Sequence, residues 1–318
     1  MGFYTAYGFT LDSELPLPEL VATDVITAEV QLFHQPIVTP ILQPTESRCL
    51  CHITPMAAYL FWEEAGTFLV KNGREIVVDL LPQADPQMVR LFLLGAAFGT
   101  LLHQRGLMTL HASTVEIDGE ALLFVGDRGM GKSTTAAALM ARGYRVLSDD
   151  IAAFELPIDC RSPSSPPTYP LMVFPGYPQL KLWADAATQL GHQPAKLPRL
   201  HPDFDKYAHR YSQGFSLEPV PLRAIYVLGF GDTLEIAPLT ASSALAAVMR
   251  NWYCARFGQQ MLEMVGMATH FQRCTELVRR VPLYYLQRSG ALTELEAIAR
   301  CVEQHFTQVV QPFRSTPA

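Results

Sequence analysis

The stretch from His111 to Asp150, HASTVEIDGEALLFVGDRGMGKSTTAAALMARGYRVLSDD, limits what this chain can fold into more than any other. It contains Gly126-Asp127-Arg128-Gly129-Met130-Gly131-Lys132-Ser133, which fits G-x-x-x-x-G-K-[ST] at every fixed position. In front of that loop, Ala121 to Val125 is a continuous apolar run, as a strand covered on both faces requires. Behind it, Thr134 to Met140 continues as a helix that Gly143 stops, and Tyr144 to Leu147 reads as a second buried strand. Strand, glycine loop and helix in that order are the context the motif needs. Thr109–Ile117 and Glu120–Val125 flank Asp118-Gly119, a two-residue type I′ signal, so a β-hairpin leads into the loop.

The chemistry follows from the charge of a triphosphate. Glycines at 126, 129 and 131 let successive N–H groups point inward, and the helix N-terminus adds its positive end. Gly126 through Thr134 is therefore read as the ATP-binding loop, with Lys132 reaching the β- and γ-phosphates and Ser133 ligating Mg²⁺. Asp149 and Asp150 stand 17 and 18 residues after Lys132, at the carboxyl end of the next strand, the edge where α/β sheets gather their ligands. Adjacent carboxylates at a strand end point different ways, so one can face the metal and the other the incoming nucleophile. His111 lies on a strand antiparallel to the loop strand, which brings it toward the same mouth.

A chain of 318 residues with 49% hydrophobic and 17% charged residues can bury a sizeable core, as one large domain or two smaller ones. A net charge of −6 argues against a nucleic-acid partner, which needs a basic stripe. The most apolar run, Leu91 to Leu102, is too short to span a bilayer. The first twenty residues lack a basic start followed by an apolar run, so a cytoplasmic protein without a membrane partner is expected. The six cysteines are scattered, and Cys49-x-Cys51-His52 has the wrong spacing for a structural zinc, which leaves buried thiols.

Residues 1–85 form a β-rich section. Tyr7–Leu11 is a strand candidate ended by the polar, proline-rich Asp12–Pro18, and Ala28–Phe33 alternates with period two. Ala58–Trp62 and Gly66–Val70 form a hairpin, and Glu75–Leu81 follows the Asn72-Gly73 turn. Residues 86–318 form the nucleotide-binding domain. Pro86 opens a helix through Gln104, with Gly95 and Gly99 placed for close helix packing. Pro157 to Pro178 holds seven prolines in 22 residues, which excludes a central strand and makes 157–216 a flap and acceptor-side region. Leu180–Trp183 resumes order, and Arg223–Leu228 is a strand. Residues 240–306 are mainly helical, with Thr240 as a cap and Leu292, Leu295, Ile298, Val302 and Phe306 on one stripe, before a frayed tail of about a dozen residues.

The order of hairpin, phosphate loop, helix and Asp-Asp resembles the HPr kinase/phosphorylase family, bacterial serine kinases related in their core to phosphoenolpyruvate carboxykinase. The resemblance rests on His111-Ala112, Gly126 to Ser133, the Thr134–Gly143 helix and Ser148-Asp149-Asp150, about forty of 318 residues. It implies an α/β fold, a P-loop kinase core of the HPr kinase/phosphoenolpyruvate carboxykinase type. It also implies that Asp150 is the base that takes the serine proton, with Lys132, Ser133 and His111 in the family's lysine, metal-binding serine and active-site histidine positions. Bifunctional members carry a glutamate-containing segment about forty residues past the lysine. Here that region, Phe174 to Trp183, has no acid, so a kinase without efficient phosphatase activity is expected. The chain looks more like the shorter HPr-kinase-like proteins found with peptide-modification genes, including those of lasso peptides, some of which phosphorylate a precursor peptide.

The expected reaction is transfer of the γ-phosphoryl group of MgATP to a hydroxyl, foremost a serine of a protein or precursor peptide. Asp149 helps place the metal, and Lys181, Arg199, Lys206 or Arg210 closes over the phosphate or binds an acidic partner. Phosphorylation of a small molecule such as free serine or a sugar, and a non-catalytic nucleotide-binding scaffold, are the two alternatives. Oligomeric state stays open, a homo-oligomer included.

Overall fold

The structure, a computed structural model, describes residues 2–45, 49–54, 56–157, 169–257, 260–261 and 266–310. The part of the proline-rich flap from 158 to 168 and the final residues 311–318 lie outside the described residues.

The glycine-loop segment sits in the middle of a mixed sheet. Ala112–Ile117 and Glu120–Val125 pair in register from Ala112↔Val125 to Ile117↔Glu120 across Asp118 and Gly119, both with positive φ (50° and 79°), as a type I′ turn needs. On its other side Glu120–Val125 pairs in parallel with Val220–Phe230, which pairs in parallel with Leu283–Arg288. Arg145–Ser148 lies antiparallel to Ala112–Ile117 and therefore runs the same way as the loop strand. The carboxyl ends at Val125, Ser148, Phe230 and Arg288 thus share one edge, where the ligand rule for α/β sheets looks for a site.

Alternation along the central strand explains why both faces are covered. Leu122 and Phe124 face the Lys132–Ala141 and Leu295–His305 helices, meeting Ala136, Leu139, Ile298 and Val302. Ala121, Leu123 and Val125 face the Ala241–Arg250 and Met267–Arg280 helices, meeting Ala244, Val248, Cys274 and Leu277. This is a three-layer α/β arrangement. Thr240 caps its helix as expected, its hydroxyl accepting the Ser243 N–H.

Before residue 85 the chain forms a second sheet of nine strands among the described residues, running from Val21–Ala22 at one edge to Gln43–Pro44 at the other. The hairpin of Ala57–Trp62 and Gly66–Lys71 lies inside it, and Glu75–Leu80 follows the Asn72-Gly73 turn, where both φ values are positive. Its apolar face shares a core with the helix begun by Pro86: Phe68, Val70 and Val78 pack with Leu93, Phe98 and Leu101. Cys49 and Cys51 are buried in that core, and burial pushes the Cys49 thiol up to about 12.

Several local expectations need correction. The first strand is Gly2–Ala6, paired with Phe9–Ser13; Tyr7-Gly8 is the turn between them, so Tyr7–Leu11 is not one strand and Asp12 lies within a strand. Thr109–Ile117 breaks at His111 into Met108–Leu110 and Ala112–Ile117, which pair with different neighbours. Met172–Phe174, in the proline-rich stretch, is an interior strand between Ala152–Phe154 and Val220–Phe230; the tripeptide fits because Pro170 and Pro175 fall outside it. The polar region after it holds Arg199–His201 and Phe204–Arg210, which join Gln179–Trp183 in a three-stranded sheet. Gly95 and Gly99 do serve close packing, against the short 3-10 helix Tyr253–Phe257: a Cβ at Gly99 would fall 2.3 Å from the Tyr253 ring. The last helix ends in a π-turn, Phe306–Val310, with Phe306 and Val310 buried, so 307–310 is not frayed.

Candidate active site

The glycine loop turns back at the carboxyl end of its strand. Gly126, Gly129 and Gly131 have φ of 147°, 90° and 82°. The positive φ at 131 favours glycine, and a Cβ there would also push aside Arg288, whose Nη2 would lie 2.0 Å away. That guanidinium donates to Met130 O at 2.6 Å and so ties the loop to the end of the Leu283–Arg288 strand. Asn251 anchors the base of the loop: its Oδ1 accepts the Gly126 N–H at 3.0 Å, and its carbonyl accepts the His111 N–H at 2.7 Å. Arg128 leans over the Phe204 ring, 4.2 Å from its centroid.

Lys132 begins the helix and bends back over the loop, donating to Gly126 O at 2.7 Å and Asp127 O at 3.2 Å. Burial lowers it to about 8, against the pull of the Asp150 and Asp149 carboxylates. Ser133 Oγ donates to Asp149 Oδ1 at 2.9 Å, and the same oxygen accepts Ser113 Oγ at 2.6 Å. Asp149 Oδ2 accepts the Lys181 N–H at 2.7 Å. Asp149 is buried, with Oδ1 held by Ser133 and Ser113 and Oδ2 by the Lys181 main chain.

Asp150 turns the other way. Its φ is 84°, a left-handed backbone that a non-glycine residue adopts only when its surroundings enforce it. Its carboxylate meets His111 Nδ1 at 3.1 Å through Oδ1, and Lys181 Nζ at 2.8 Å through Oδ2, with Tyr253 OH donating to Oδ2 at 3.4 Å. Lys181 is buried; burial opposes its charge, but Asp150 and the phenols of Tyr177 and Tyr253 outweigh that and hold its proton on well above the ordinary lysine range. Both aspartates line the hollow in which Lys132, Lys181 and Lys206 converge, and the strained Asp150 is the more exposed of the two.

The structure thus brings together His111, the loop, Lys132, Ser133, Asp149 and Asp150, and adds two of the four basic residues of the acceptor side. Lys206 lines the hollow, and burial lowers its pKa. Arg199 and Arg210 lie outside it: Arg199 is exposed and donates to Phe204 O at 3.1 Å, and Arg210 pairs with Glu19 at 2.6 Å. Beside the loop, a cavity of about 480 Å³ lined by Gly129, Thr134, Trp183, Phe230 and Arg288 has room for the rest of a nucleotide. Sequence reasoning missed Ser113, Asn251, Tyr253 and Arg288. Arg288 carried a usable signal, since it ends a strand parallel to the loop strand; Asn251 and Tyr253 follow a helix with nothing local to mark them. Among the described residues no cluster of three or more His, Cys, Asp or Glu is placed to hold a metal.

No family model matches the chain. Curated HPr kinase/phosphorylases do. That of Lactobacillus gasseri is 30% identical over 99 residues, 27% of this chain and 30% of the relative. That of Streptococcus thermophilus is 34% identical over 102 residues, 29% of this chain and 33% of the relative. That of Limosilactobacillus reuteri is 48% identical over 42 residues, 13% of each. The chain therefore matches about a third or less of the length of these relatives. Among solved structures, the HPr(Ser) kinase/phosphatase from Coxiella burnetii aligns with 63% of this chain and 97% of its own at a TM-score of 0.33 and 11% identity, a likeness that adds nothing to the sequence match. By its sequence the chain is HPr-kinase-like.

Proposed function

We propose that this chain is an ATP-dependent kinase that moves the γ-phosphoryl group to a serine hydroxyl of a protein or peptide, with residues 86–318 as the kinase domain and 1–85 as a supporting section. The observation that carries the reading is the division of labour between neighbouring carboxylates. Asp149 is buried against Ser133, while Asp150, strained and the more exposed of the two, is held by Lys181 and His111.

Phosphoryl transfer asks the protein for position and neutralised charge more than for covalent chemistry. The triphosphate lies along the Gly126–Thr134 main chain, with its nucleoside in the cavity beside Phe230. Lys132 leaves its carbonyl partners for the β- and γ-phosphate oxygens. Asp149 and Ser133 offer hard oxygen donors 2.9 Å apart, a pairing that fits Mg²⁺. When bound, the ion neutralises charge on the phosphate oxygens. Asp150 accepts the proton of the acceptor hydroxyl as that oxygen forms its bond to the γ-phosphorus; the bond to the bridging oxygen breaks and its electron pair leaves with ADP. His111 and Lys181 hold the Asp150 carboxylate in place.

Incubation with γ-labelled ATP, Mg²⁺ and a cell extract tests this. Label is expected on a polypeptide, at serine. Label on a small molecule replaces the acceptor, and label nowhere overturns the reading.

A further inference from the structure

A second cavity, of about 300 Å³, lies between Glu19, the first turns of the helix begun by Pro86, and the three-stranded sheet. No step described above uses it. It borders the hollow at one shared residue. Lys181, which holds Asp150 Oδ2 at 2.8 Å, lines both. Leu94 lines the cavity, and at the next residue, Gly95, a Cβ would stand 3.7 Å from Asp150 Oδ2. These residues lie in a π-turn, Leu93–Ala97, the kind of helix irregularity that gathers at functional sites.

The polar wall of this cavity is unfinished. Glu19 is only 6% exposed, and its Oε1 accepts both Arg90 Nε at 2.9 Å and Arg210 Nη2 at 2.6 Å. Its Oε2 is buried with no hydrogen-bond partner. Leaving such an oxygen unpaired is costly, and because Glu19 lines the cavity, a donor arriving with a ligand would relieve that cost. Two guanidiniums sharing one carboxylate leave one positive charge to be met. The lining also includes the apolar Leu91, Leu94 and Leu200.

We infer that this cavity is the acceptor subsite, and that it takes a peptide segment with a carboxylate close to the phosphorylated hydroxyl. A peptide N–H meets Glu19 Oε2, the carboxylate meets the spare N–H groups of Arg90 and Arg210, and an apolar side chain lies on Leu91 and Leu94. An Asp or Glu side chain and a chain-terminal carboxyl share that chemistry. The inference rests on the kinase reading and specifies its substrate.

The test is a peptide array with γ-labelled ATP and Mg²⁺. Each peptide carries one serine, its flanking positions are Ala, Glu, Lys or Leu in turn, and each is made both with a free carboxyl end and as the amide. A nearby carboxylate is expected to raise kcat/KM at least tenfold over the alanine counterpart, through KM. Glutamate in amidated peptides and a free end in glutamate-less peptides separate the two sources. Arg210→Glu, at a side chain 40% exposed, should move the preference to lysine, and Arg90→Gln should abolish it; an unchanged MgATP affinity in both verifies that the variants fold. Label on peptides irrespective of flanking charge, in the parent protein and in Arg210→Glu alike, overturns the subsite and leaves the kinase reading standing. Label on none of the peptides overturns both.

Discussion

On one side of the hollow, the loop, Lys132, Ser133 and the two aspartates come from a single continuous stretch of chain. On the other side, Lys181, Lys206 and Tyr253 are brought in from separate elements, Tyr253 from 103 positions beyond Asp150. The two lysines that face the aspartates show what this difference does. Lys132 sits over backbone carbonyls and loses affinity for its proton on burial, to about 8, whereas Lys181 pairs with Asp150 and gains it. The loop side is built to receive charge and the opposite side already holds its own. Phosphate binding by Lys132 and the Lys181–Asp150 pair can therefore be disturbed separately.

The largest effect is expected on the loop side. Lys132→Met removes the group that neutralises the phosphates and should lower kcat/KM by about 10²–10³, measured as ADP release with acceptor. The parent protein carries a related pH signature. Because burial places Lys132 near 8, MgATP affinity should be level below about pH 8 and fall by about tenfold per pH unit above it. Stability moves the opposite way over that range, since the folded lysine binds its proton less tightly than the unfolded one. A flat affinity from pH 7 to 9.5 would contradict the assignment.

On the opposite side, Lys181→Met leaves Asp150 without its cation and should cost about 3 kcal/mol of stability, read by denaturant titration. Its proton is held above the ordinary lysine range, so the pair stays intact through neutral and mildly alkaline pH and this loss should not vary with pH there. A loss confined to nucleotide affinity would instead merge the two sides. The smallest effect should come from Arg199→Ala, which removes an exposed side chain outside the hollow: under twofold in transfer and within about 0.5 kcal/mol in stability. A tenfold loss would bring Arg199 into the acceptor side.

The same division sets how much could be read beforehand. Asp118-Gly119, the apolar run to Val125, the loop glycines and the Asp149-Asp150 pair are short-range patterns with backbone reasons, and they place hairpin, loop and aspartates correctly. Phe204–Arg210 escaped because only Ala208 along it is buried, so the strand lacks an apolar alternation. Met172–Phe174 was hidden by prolines that flank it without interrupting it. The partners of Asp150 depend on which distant elements dock at its strand end. Lys181 was legible only as one of four basic candidates, without its pairing to Asp150, and nothing within a helix or strand period of Tyr253 marks it.

The central claim is that Asp150 takes the acceptor's proton while the loop holds the nucleotide independently of it. Asp150→Asn, assayed for MgATP binding by titration calorimetry and for label transfer in a single turnover, tests both halves together. The expected result is binding within about threefold of the parent protein and transfer lowered by about 10²–10⁴. Transfer at the parent rate with binding intact would contradict it.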